Sequence, residues 1–181
     1  MSIKRAIARL KPARTLNLLF HPDPRLMQKS KEFDLEDEAD LAELDQLIVD
    51  LIATMRKEKG AGLAAIQVGI PRRVFVYNAG DKEGGEAALI NPHIIASSEE
   101  LIEGEEGCLS FPALYTQVKR SKLLVVEGYN QNKKKVKIEA EGFLARVFQH
   151  EIDHLDGITF IEQLPEEDKK LALREYFDLR S

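Results

Sequence analysis

The chain has one cysteine in 181 residues, Cys108. That excludes an internal disulfide and fits a reducing compartment. No apolar run approaches the roughly 18 residues of a membrane span, and there is no signal-peptide core. Internal repeats, low-complexity tracts and linkers are absent too. Surplus positive charge is missing: the formal net charge is −5, which argues against nucleic acid as the main partner. The charge is uneven, because Lys4, Arg5, Arg9, Lys11 and Arg14 leave residues 1–14 basic and free of acids. We read a solvated basic N-terminal arm, residues 1–14, ahead of one domain, residues 15–181; a transit peptide is the alternative. The length is enough for one sizeable core.

The apolar run Leu16–Phe20 stops at Pro22 and Pro24. An acidic stretch, 34–40, leads into a helix with Leu41, Leu44, Leu47, Ile48, Leu51, Ile52 and Met55 at helical spacing, ended by Gly60. Residues 60–69 are small and read as flexible. Strand patterns follow at 74–77, at 88–96 (one or two strands around Asn91-Pro92), at 114–119 and at 123–129. Gln131-Asn132-Lys133 is a turn, and the alternation at 135–138 makes a hairpin. Residues 143–155 read as a second helix with Gly157 just past its end, and 166–178 as a short third one. Strands cluster between helices, which favours an α+β fold with mostly antiparallel sheets around a central helix.

That helix carries the chemistry. His150 and His154 are four apart, so both imidazoles fall on one face, and Glu151 adjoins the first. Two imidazoles on one ion beside a carboxylate make a hydrolytic site. Cys108, in Glu106-Gly107-Cys108-Leu109-Ser110, is a candidate third ligand. Three protein ligands leave one coordination position open, as catalytic sites do. The bland alternatives are surface histidines beside acids, and a buried thiol acting as a small apolar residue. A zinc endopeptidase is a second enzymatic reading. One protease pattern continues to a third histidine, but Phe160 stands there. A non-catalytic metal or redox module built on Cys108 is a third.

Three segments stand in register: Gly60-Ala61-Gly62-Leu63-Ala64-Ala65-Ile66-Gln67, Glu106-Gly107-Cys108-Leu109-Ser110 and Gln149-His150-Glu151-Ile152-Asp153-His154-Leu155. In order, spacing and content they resemble the peptide deformylases, metalloenzymes that remove the N-formyl group from new polypeptides. The resemblance covers roughly residues 15 to 165. It implies Cys108, His150 and His154 as metal ligands, with Fe(II) the usual ion and Zn, Ni or Co able to replace it. It implies Glu151 as general acid/base, and Gln67 with the backbone N–H of Leu109 as oxyanion donors. An apolar pocket for the methionine side chain is implied, lined by Gly62, Leu63, Phe143, Val147 and His150. Arg146, one turn before His150, would pack its stem there and send its head to water. The peptide backbone would dock strand-like near Gly62 and at Gly104 to Glu106.

Two further positions are read with a solvated charge as the competing view. Arg120 would pair with Glu106 and hold the cysteine loop. Asp153, or a backbone carbonyl, would fix a ligand tautomer. The chain departs from many members at Ile66, where they carry proline, and from some at Tyr115, where they carry a basic residue. The implied partners are nascent formyl-Met polypeptides, with the ribosome near its exit tunnel open to the basic arm. No direct nucleic-acid specificity and no membrane partner are expected. The expected location is the bacterial cytoplasm, with organelle targeting by the arm as the minor alternative.

Overall fold

The computed structural model describes residues 10–80 and 85–180. Helix α1 (Glu38–Glu58) starts where the Asp37 carboxylate accepts from the N–H groups of Ala39 and Asp40, capping two free donors. It ends at Lys59, whose φ of 56° is left-handed. The left-handed cap is therefore Lys59 rather than Gly60. Gly60 is needed for space: a Cβ there would sit 2.9 Å from Leu109 Cδ1.

Strand β1 (Gly62–Ala64) and a 3-10 turn (Ala65–Val68) follow. The segment expected to be small and flexible is largely buried here, because Ala64, Ala65 and Ile66 sit inside the core. Strands β2 (Val74–Asn78) and β3 (Glu86–Ser97) come next. The region around Asn91-Pro92 is one continuous strand, not two. It carries register shifts between Ile90 and Ala96. Asn91, at φ 49°, bonds the backbone N–H and C=O of Phe33 through its side chain, which satisfies the irregular stretch.

Strand β4 (Leu101–Cys108) pairs antiparallel with β5 (Phe111–Ser121). β4 does not read as a strand in the sequence because five of its eight residues, Glu103, Gly104, Glu105, Glu106 and Gly107, are poor strand formers. Strands β6 (Leu123–Asn130) and β7 (Lys135–Glu141) form the expected hairpin. Helices α2 (Gly142–Leu155) and α3 (Glu166–Asp178) complete the fold. Gly157, at φ 77°, lies just beyond α2.

All strand pairings in the named sheets are antiparallel: a five-stranded sheet in the order β1-β2-β3-β6-β7, and the β4-β5 pair. The large sheet is covered on both faces. Phe75, Tyr77, Leu89 and Leu124 pack on Phe148, Ile152 and Leu155 of α2. Val74, Val76 and Ile90 turn the other way, to Leu44, Leu51 and Met55 of α1. This is why 74–77 reads as an unbroken apolar run rather than an alternation. Phe148 meets Phe75 and Tyr77 edge-on, at centroid distances of 5.4 and 4.7 Å. A third cluster joins Phe111, Leu114 and Val118 of β5 to Phe160 and to Tyr176 of α3. Helix α2 is thus central, between the large sheet and the β4-β5 pair.

Of the N-terminal arm, residues 1–9 lie outside the described residues. Lys11 and Arg14 are exposed and lie along α1. Lys11 N–H donates to Gln46 Oε1, and Arg14 donates through N–H and Nε to the Asp50 carboxylate. Among the described residues, no helix is long and apolar enough to cross a membrane.

Candidate active site

The end of β4 brings Cys108 to the two histidines of α2. Cys108 Sγ lies 3.2 Å from His154 Nε2, and the ligand atoms of Cys108, His150 and His154 all lie within 4.8 Å of one another. The imidazoles sit one helical turn apart, centroids 4.9 Å, at a steep angle. His150 Nδ1 is bonded to Glu106 Oε2 at 3.0 Å, which leaves its Nε2 for a ligand. One sulfur and two imidazole nitrogens form a set that suits a divalent transition metal. A second observation agrees: Glu151 lines the same cavity, and its buried Oε2 has no hydrogen-bond partner. A buried carboxylate oxygen left bare needs something to meet it. The residues therefore fit one metal ion with a water beside it.

Behind the cluster is a buried charge network. Glu106, only 5% exposed, accepts from Arg120 Nε and Nη2 (2.9 and 3.1 Å), from Arg146 Nη1 (2.8 Å) and from His150 Nδ1. Burial alone would raise the Glu106 carboxyl, but the hydrogen bonds from His150 and Arg120 and the charge on Arg120 hold it down to about 2. Arg120 pairs with Glu106 as one of the two readings expected, and it also donates to Asp153 Oδ2 at 2.6 Å. Asp153 takes that bond and one from Gln163, neither of them from His150 or His154. The tautomer of His150 is set by Glu106 instead.

Arg146 is a correction. Its head does not reach water; the residue is 6% exposed. Besides Glu106, the guanidinium donates to the carbonyls of Val118 and Ile102. It passes so close to β4 that a Cβ on Gly104 would lie 2.8 Å from Nη2. The residue still lines the cavity. For Glu106, the side chain is committed to the network, so only its backbone is left to face a ligand.

Glu151 is set against Gly62. A Cβ on Gly62 would lie 2.5 Å from Glu151 Oε1, so only glycine lets β1 approach this closely. Burial pushes the Glu151 carboxyl up to about 7, against the opposing pull of the His150 charge. The two histidines diverge. Burial holds His154 well below its ordinary value, helped by charge on His150. Burial opposes charge on His150 as well, but Cys108 and Glu106 hold it well above. Gln67 Oε1 accepts from the Ala64 N–H at 2.9 Å, which turns Nε2 toward Cys108 Sγ (3.5 Å) and Ser110 Oγ (3.2 Å). Ser110, fully buried, was not singled out in the sequence; its place one residue after Leu109 was the available signal.

The cavity is about 520 Å³ and is lined by Gly62, Gln67, Leu109, Val147, Phe143 and Tyr115, among others. Leu63 does not belong to it. Its side chain is fully buried in the α1 core, because residues 62 and 63 of a strand point to opposite faces.

Comparison with known proteins agrees with this geometry. The family model for polypeptide deformylase matches residues 15–170. A peptide deformylase of Desulforudis audaxviator is 44% identical over 143 residues, covering 79% of this chain and 89% of that protein. One from Treponema pallidum is 42% identical over 165 residues, covering 91% and 98%. Among solved structures, a peptide deformylase from Legionella pneumophila superposes with a TM-score of 0.82 at 34% identity, covering 92% of this chain and 95% of that one. One from Ehrlichia chaffeensis in complex with actinonin gives 0.80 at 34%, covering 90% and 95%. The chain belongs to the polypeptide deformylase family.

Proposed function

We propose that Cys108, His150, His154, Glu151, Gln67 and Leu109 together remove the N-formyl group from the formyl-methionine of new polypeptides. The observation that carries this reading is the partnerless Glu151 carboxylate oxygen beside a Cys-His-His cluster, of which Cys108 and His150 line the same cavity as Glu151. The cluster holds one divalent metal, Fe(II) on our reading with Zn, Ni or Co able to replace it, because a thiolate with two imidazoles suits several of these ions. When bound, the ion supplies Lewis acidity and eases deprotonation of water.

Glu151 accepts a proton from the attacking water, a task suited to a carboxyl near 7. The water oxygen bonds the formyl carbon, and negative charge develops on the formyl oxygen. Gln67 Nε2 and the Leu109 N–H donate to that oxygen. Such a donor is typically worth about 3 kcal/mol of barrier. The bond from Ala64 N–H to Gln67 Oε1 keeps the amide in the donating orientation before substrate arrives. As the C–N bond breaks, Glu151 returns the proton to the leaving amine. Formate and a free N-terminus result.

Phe143 and Val147 receive the methionine side chain, with the Arg146 stem at the wall. The peptide backbone docks by strand pairing at Gly62 and along the edge of β4, which among the described residues pairs with β5 alone. On the same reading the enzyme works in the bacterial cytoplasm on chains leaving the ribosome. The test is formate release from formyl-Met-Ala-Ser by anaerobically prepared, Fe(II)- or Ni(II)-loaded protein, beside acetyl-Met-Ala-Ser. Release from the formyl peptide alone is expected. No release from protein holding one metal per chain refutes the assignment.

A further inference from the structure

Tyr115 is 62% exposed, yet its ring is fixed against the main chain. In the β4-β5 register Tyr115 faces Gly107, the residue before Cys108. A Cβ on Gly107 would lie 2.5 Å from Tyr115 Cε1 and 2.7 Å from Cδ1, so the ring occupies the space a side chain would fill. The ring thus lies over β4 at Gly107, and the residue lines the cavity.

The pleat assigns it a partner. Along β4, Gly104 and Glu106 face α2 and its Arg146, whereas Gly107 faces outward with Tyr115. A peptide paired on the free edge alternates its side chains between those two faces. Its methionine goes to the α2 face, toward Val147. Its second residue therefore goes to the outer face, beside the Tyr115 ring. We propose that Tyr115 is a specificity-determining residue that favours substrates with an aromatic second residue, by stacking on it. This rests on the substrate docking described above.

The test compares kcat/KM for formyl-Met-Phe-Ser and formyl-Met-Gly-Ser on the metal-loaded enzyme. We expect a preference for the phenylalanine peptide of about three- to tenfold, the range of an aromatic pair. Tyr115→Ala should bring the ratio to about one, and Tyr115→Phe should keep it. If Tyr115→Ala lowers both peptides equally and the ratio stands, the ring only supports the cysteine loop and the proposal is overturned. Equal rates in the wild type, with formate released from both, overturn the proposal alone. No formate from either peptide overturns the deformylase reading and this proposal with it.

Discussion

Replacing Glu106 by glutamine keeps its shape and removes its charge. The carboxylate takes bonds from Arg120 Nε and Nη2, Arg146 Nη1 and His150 Nδ1. Glutamine has one acceptor oxygen, and its NH₂ group would face donors. Of the two buried guanidinium groups, Arg120 would then keep its Nη1 bond to Asp153, and Arg146 its bonds to the carbonyls of Val118 and Ile102. Breaking a buried ion pair costs about 3–5 kcal/mol. The surviving carbonyl bonds favour the lower end of that range. For a chain of this size each kcal/mol moves the midpoint by about 2–4 °C, so the metal-free variant should melt roughly 10 °C lower. His150 also loses the acceptor that orients it, which should weaken metal binding by about 10–100-fold. Calorimetry of the metal-free protein and chelator competition measure the two effects separately. A midpoint within about 2 °C of wild type, with unchanged metal affinity, would refute the network argument.

Three other outcomes follow from the site and the core. Glu151→Gln should reduce turnover by at least about 10²-fold while one metal per chain is retained; retained turnover would point to the redox or binding reading instead. Gln67→Ala should lower kcat by about 10²–10³ with little change in metal content, measured on the same formyl peptide; an unchanged kcat would remove Gln67 as an oxyanion donor. Asp50→Asn should destabilise the fold by about 1 kcal/mol at pH 7, through loss of the bonds from Arg14 and Gln46. Burial opposes ionisation of Asp50, but those bonds hold its carboxyl below the usual range. A depressed carboxyl contributes above its unfolded value and loses that contribution as pH falls through its folded one. The urea-unfolding difference between wild type and variant should therefore shrink toward pH 3, and a gap that grows with acidity would contradict the assignment.

Helix α2, its two histidines and the flanking glutamate were legible because helical spacing alone fixes which residues share a face. α1, α3 and the β6-β7 hairpin were legible for the same kind of reason: period, caps and turn residues are local. β4 was not, since its acidic and glycine content contradicts strand propensity, and only pairing with β5 and the buried bonds of Glu106 hold it extended. Leu63 went to the wrong place because neither its neighbours nor its apolarity say which face of β1 meets α1.

The sequence by itself determined the paired histidines, the acid/base candidate beside them and the α+β class, because each depends on residue identity and local pattern; Cys108 was a candidate third ligand by its residue type and the family resemblance. Tertiary structure alone decided the environment of those groups. It put Arg146 on Glu106 instead of in water, left Glu151 Oε2 bare, and laid Tyr115 across Gly107. Burial, partner and charge depend on residues 14 to 44 positions apart along the chain, as the Arg120, Arg146 and His150 bonds to Glu106 show. No local pattern encodes contacts at that separation, and they are what turns a pair of histidines into a site.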